Sequence, residues 1–69
     1  MLTTKQFEVI SHFWKVGQFM VNELRVIYTS DKSITSCIER LQALGLIRFN
    51  GQRYEINRGE FLEFQKTHE

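Results

Sequence analysis

The chain has one cysteine, Cys37, in 69 residues, so an internal disulfide is excluded. Its two histidines have no partners at metal-ligand spacing, and no metal framework is available to staple a short fold. Long apolar runs are missing too, and nothing approaches the roughly 20 residues of a membrane-spanning helix. The opening Met1-Leu2-Thr3-Thr4-Lys5 lacks a signal-peptide pattern, so a cytoplasmic protein without a membrane partner is expected. There is no nucleophile–base signature, no phosphate-cradling glycine loop and no pair of carboxylates in an apolar setting. The expectation is a non-enzyme with no catalytic residues, cofactor or metal. Neither sign of charge dominates: nine Lys and Arg face eight Asp and Glu, for a net charge of +1. In bulk that is a weak signal for a nucleic-acid binder.

The distribution of charge says more than the sum. Residues 1–30 carry three basic and two acidic groups, residues 31–58 five and three, and residues 59–69 one and three. Positive charge therefore gathers in the middle, and the tail is acidic. Apolar residues make up 42% of the chain and nine residues are aromatic, which is enough for a folded domain. The length allows one domain, 1–69, and the initial Met fits a complete small protein. A core this small stabilises weakly, and without disulfide or metal the remaining aid is association. A homodimer is expected on that ground.

The pattern along the chain predicts four helices and a hairpin. Thr3 and Gln6 have capping-box spacing, and Leu2 and Phe7 stand at the staple positions. A helix over about 3–16 follows, with Phe7, Ile10 and Trp14 as its apolar stripe, Phe13 flanking it, and Gly17 as its end. Phe19-Met20-Val21 reads as a brief extended segment. A second helix is expected over about 21–28, with Val21, Leu24 and Ile27 recurring every three residues. Thr29-Ser30-Asp31 breaks it, and Ser30 or Asp31 can cap the next. The third helix, about 32–44, carries the stripe Ile34, Ile38, Leu41 and Leu44 and ends at Gly45. The period then becomes alternating around Asn50-Gly51, which predicts a hairpin over 46–56 with a two-residue turn. That register pairs Phe49 with Gln52, Arg48 with Arg53 and Ile47 with Tyr54. A short C-terminal helix is expected over about 60–66.

The order of helix, helix, turn, helix and hairpin is that of an α+β winged helix-turn-helix domain: three helices, a two-stranded wing and a short C-terminal helix. The chain resembles that superfamily directly, and most of all the small MarR-like regulators. Leu2-Thr3-Thr4-Lys5-Gln6-Phe7, Val21-Asn22-Glu23-Leu24 and Asp31-Lys32-Ser33-Ile34-Thr35-Ser36 carry the resemblance. So does Ile38-Glu39-Arg40-Leu41-Gln42-Ala43-Leu44-Gly45-Leu46-Ile47, the most specific stretch. Three features depart from the family pattern: Tyr28 at a turn position that is usually small, Ser36 where many relatives have arginine, and a short hairpin.

The resemblance implies a transcriptional regulator that binds double-stranded DNA as a homodimer. The outward side of the third helix, Lys32, Ser33, Thr35, Ser36, Glu39 and Arg40, would enter the major groove, with Ile34, Cys37, Ile38 and Leu41 turned inward. Arg48, Asn50, Gly51, Gln52 and Arg53 would form the wing. Across a hairpin, Arg48 and Arg53 would repel each other, and a phosphate between them would reverse the sign. Lys15, Arg25 and Arg58 are candidate phosphate contacts. Phe61, Leu62 and Phe64 are candidates for a dimer surface together with Phe7, Phe13 and Trp14, or for packing on their own domain. A second reading stays open: a winged helix used as a protein-interaction module in a transcription, replication or other assembly.

Overall fold

A computed structural model describes residues 2–68. The chain runs α1 (Thr4–His12), β1 (Gln18–Phe19), a 3₁₀ helix (Val21–Val26), α2 (Asp31–Ala43), β2 (Ile47–Phe49), β3 (Tyr54–Ile56) and α3 (Arg58–His68). It is a small α+β arrangement with a three-stranded antiparallel sheet in the order β1-β3-β2. This layout is compatible with a winged-helix one.

Local signals set most element starts. Thr3 and Gln6 form the predicted capping box: Gln6 N–H donates to Thr3 Oγ1 at 3.2 Å, and Thr3 N–H donates to Gln6 Oε1 at 3.0 Å. α1 is shorter than the predicted 3–16. Its ladder stops at His12, and the following turn closes with Gly17 N–H on the Phe13 carbonyl at 2.8 Å. Its buried side chains are Val9 and Ile10, with Phe13 in the turn, whereas Phe7 is 43% exposed and Trp14 half-buried. The predicted stripe was thus rotated toward the aromatics. Phe7 and Trp14 instead flank Phe61 of α3, with ring centroids 5.7 and 5.5 Å away.

The predicted second helix, 21–28, is a single 3₁₀ segment. Glu23 turns back so that its Oε1 accepts the Met20 N–H at 2.8 Å, and only Leu24 of the segment is buried. Side chains every three residues are what a 3₁₀ helix stacks on one face. Of the expected extended segment 19–21 only Phe19 lies in a strand: β1 pairs Gln18 with Glu55 and Phe19 with Tyr54, and Val21 already begins the 3₁₀ helix. The sheet therefore has three strands where two were predicted. α3 starts earlier than 60–66 because Asn57 caps it: Asn57 Oδ1 accepts the Glu60 N–H at 3.1 Å, which draws Gly59 into the first turn.

The core lies between the helices and one face of the sheet. α2 contributes Ile34, Cys37, Ile38 and Leu41, and Phe19, Ile47 and Ile56 meet them from the strands. α2 ends in a Schellman motif, with Leu46 N–H on the Leu41 carbonyl and Gly45 N–H on the Gln42 carbonyl, both at 2.9 Å. Gly45 holds φ +75° there with nothing near its Cβ position, so a side chain would cost conformational energy alone. Gly45→Ala is expected to cost about 1–2 kcal/mol. The melting temperature should fall by at least about 4 °C for a domain this size. An unchanged melting temperature would show that this turn does not hold α2 to β2.

Candidate nucleic-acid interface

The outward side of α2 follows from what its inward side buries. With Ile34, Cys37, Ile38 and Leu41 inside, Lys32, Ser33, Thr35, Ser36, Glu39 and Arg40 are all exposed. Ser30 caps the helix, its Oγ accepting the Ser33 N–H at 3.4 Å. Asp31 in the first turn forms an ion pair with Arg25 of the 3₁₀ helix, which ties the two elements across the turn. Shallow grooves flank the start of α2 on both sides. One, of about 330 Å³, has Thr3 and Gln6 on one wall and Lys32, Ser33 and Ser36 on the other, with buried Tyr28 and Cys37 between them. The other, of about 280 Å³, runs between Val21, Asn22 and Arg25 of the 3₁₀ helix and Asp31 and Thr35 of α2. Thr3 and Gln6 were read from sequence only as a cap; their place beside α2 depends on a tertiary contact that no local pattern encodes.

The hairpin reverses one residue later than predicted. Ile47 pairs with Ile56, Arg48 with Glu55 and Phe49 with Tyr54. The bend is therefore centred on Gly51-Gln52, not Asn50-Gly51. Only Gly51 has positive φ, at +104°, whereas the predicted type I′ turn needs it at both central positions. Asn50 explains the shift: its side-chain Oδ1 accepts from Gln52 N–H at 2.9 Å and Arg53 N–H at 2.7 Å, which seats it before the bend. Its Nδ2 also donates to Glu55 Oε2 at 3.1 Å. Arg48 thus does not oppose Arg53. It faces Glu55, with Nη2 3.6 Å from Oε1, in an exposed pair that contributes little stability. Arg48, Asn50, Gly51, Gln52 and Arg53 remain exposed around this bend.

The other candidates separate. Lys15 is exposed. Arg25 is engaged by Asp31, and Arg58, though exposed, is engaged too: it donates to the Trp14 carbonyl at 2.6 and 3.1 Å and to the Lys15 carbonyl at 3.2 Å, and lies 5.7 Å from the Trp14 ring centroid. It acts as a strut from α3 to the end of α1. Phe61 is buried on its own domain and Phe64 is half-buried, while Leu62 is 50% exposed. Phe13 is in the core.

Tyr28 and Cys37 form the polar part of the core. Burial pushes the Tyr28 phenol up to about 12, and its hydrogen bond to Cys37 adds to the rise while one from Thr3 opposes it. Burial raises the Cys37 thiol as well, offset in part by the bond from Tyr28. Among the described residues no group of three or more His, Cys, Asp or Glu could hold a metal ion, and no helix is long and apolar enough to cross a membrane. Comparison with family models, curated proteins and solved structures gives no match.

The titrations predict a one-sided pH dependence. The Tyr28 phenol keeps its proton more firmly when folded, so its contribution is complete below the ordinary value of 10.0 and is lost as pH rises toward about 12. Cys37 acts with the same sign, beginning near its ordinary value of 9.0. The melting temperature should therefore hold steady up to about pH 9 and fall beyond it, less steeply in Tyr28→Phe. Thermal melts across this range check it; equal slopes in the two proteins would contradict it.

Proposed function

We propose that this chain is a winged helix-turn-helix domain that binds double-stranded DNA as a homodimeric regulator of transcription. The exposed side of α2 carries this reading. Lys32, Ser33, Thr35 and Ser36 crowd its first turns, and Glu39 and Arg40 follow on the same side. Short hydroxyl side chains allow a helix to approach a groove floor and offer donors and acceptors to base edges. The positive end of the helix dipole and the two cations favour phosphate. The bend at residues 50–53 adds Gln52 and Arg53 as wing contacts, whereas Arg48 must be shared with Glu55. Arg25 and Arg58 have other partners, so Lys15 is left from the original phosphate set.

Of the residues expected at a dimer surface, Leu62 and the exposed part of Phe7 are the ones still available to a second copy. Two α2 helices would then read half-sites about 34 Å apart, one turn of DNA. One feature favours a protein partner instead: Val21 and Val26 of the 3₁₀ helix stand exposed beside α2.

Gel-shift titration of a random-sequence duplex at two salt concentrations tests the proposal. Affinity is expected to fall steeply with salt, with two chains per shifted complex. Arg53→Ala and Arg40→Ala should each flatten the logarithmic salt slope by about one unit. Retention that ignores salt, or no retention at low salt, would reject DNA as the ligand and leave the protein-partner reading.

A further inference from the structure

The hairpin has two unlike faces. Alternation along β2 and β3 puts Arg48 beside Glu55 on one face, and Ile47, Phe49, Tyr54 and Ile56 on the other. Ile47 and Ile56 enter the core, and Tyr54 packs against it. Phe49 lies beyond it: the residue is 50% exposed, yet its ring meets that of Tyr54 with centroids 4.9 Å apart. Tyr54 stacks in turn on the fully buried Phe19 at 5.9 Å, and Phe19 meets Phe13 at 5.2 Å. The three strands thus carry one row, Phe19–Tyr54–Phe49, with its inner end fixed in the core and its outer end in water. The row ends one residue before the bend, where the Asn50 side chain bonds to Gln52, Arg53 and Glu55.

We propose that Phe49 is an apolar DNA contact of this hairpin, packing against the sugars and base edges of a groove wall while Arg53 at the bend serves the phosphates. Held by the row behind it, the ring has little freedom left to lose on binding. Charge selects the occupant. The hairpin 47–56 carries two arginines and one carboxylate, and that carboxylate, Glu55, already accepts from Asn50 and faces Arg48. Such a surface fits a polyanion that has apolar sugar and base surface between its charges, and apolar side chains do enter DNA grooves in this way. A hairpin seated in a groove meets a strand on each side, so both of its faces are used. The contact depends on the DNA reading and adds to it a part of the affinity that phosphate contacts do not supply. Apolar packing releases no counterions, so this part is insensitive to salt.

Titration of Phe49→Ala, Phe49→Leu and Arg53→Ala with a random-sequence duplex over a range of salt, each below its melting temperature, separates the two kinds of contact. Phe49→Ala is expected to weaken binding about tenfold at every salt concentration, with the logarithmic salt slope of the wild type. Phe49→Leu should lose less, and Arg53→Ala should instead flatten the slope. Phe49→Trp reports the contact directly: its emission, after subtraction of the wild-type Trp14 signal, should change when duplex is added. Wild-type affinity in Phe49→Ala would overturn the proposal, as would a flattened slope in that variant or emission from Phe49→Trp that bound duplex leaves unmoved. In each of these cases the wild type still binds, so the DNA reading stands without this contact. A wild type that binds no duplex at low salt rejects both.

Discussion

The burial of one apolar stripe, Ile34, Cys37, Ile38 and Leu41, organises the rest of the molecule. A helix that commits these positions to the core has no choice about which residues face water. The stripe also needs a lid. Phe19 and Ile56 supply it from the sheet, which is why a two-residue strand such as β1 is kept at all: it carries Phe19 onto Tyr54 of the central strand and into the core. The Schellman turn at Gly45 then delivers Ile47 beside its partner Ile56.

Polar ties complete what a core of this size leaves loose. Arg58 straps α3 to the carbonyls at the end of α1, Asp31 and Arg25 span the turn before α2, and Asn50 sets the bend between β2 and β3. These links differ in weight: the exposed ion pairs add little. The same ties reassign charge: Arg25, Arg48 and Arg58 each have a partner within the chain, which leaves Lys32 and Arg40 on α2 and Arg53 at the bend as the cations of the candidate site.

Short-range features of the fold were legible in the sequence. The Thr3–Gln6 box, the Ser30 cap, Gly45 and the inward and outward sides of α2 depend on residues within one or two turns of each other. What was lost depended on distant partners. Asn50-Gly51 suggested a bend on those two residues, but the Asn50 side chain and the Ile47–Ile56 contact moved it to Gly51-Gln52. The shift displaces each partner by two residues, so every side chain kept its predicted face although every pair was wrong. Phe7 and Trp14 looked like the core stripe of α1 until α3 provided Phe61 as their neighbour. Arg58 looked like a free cation because nothing in its local sequence points to carbonyls more than forty residues away. For the candidate site, the α2 residues were visible, while the contribution of Thr3 and Gln6 required the packing of α1 against Tyr28.

Mapping duplex DNA onto the chain by amide chemical shifts tests the central claim most directly. The account predicts that a short duplex perturbs residues 32–40 and 50–53 first and leaves α3 in place. Perturbation centred on Phe7 and Leu62, or none at low salt, would contradict it.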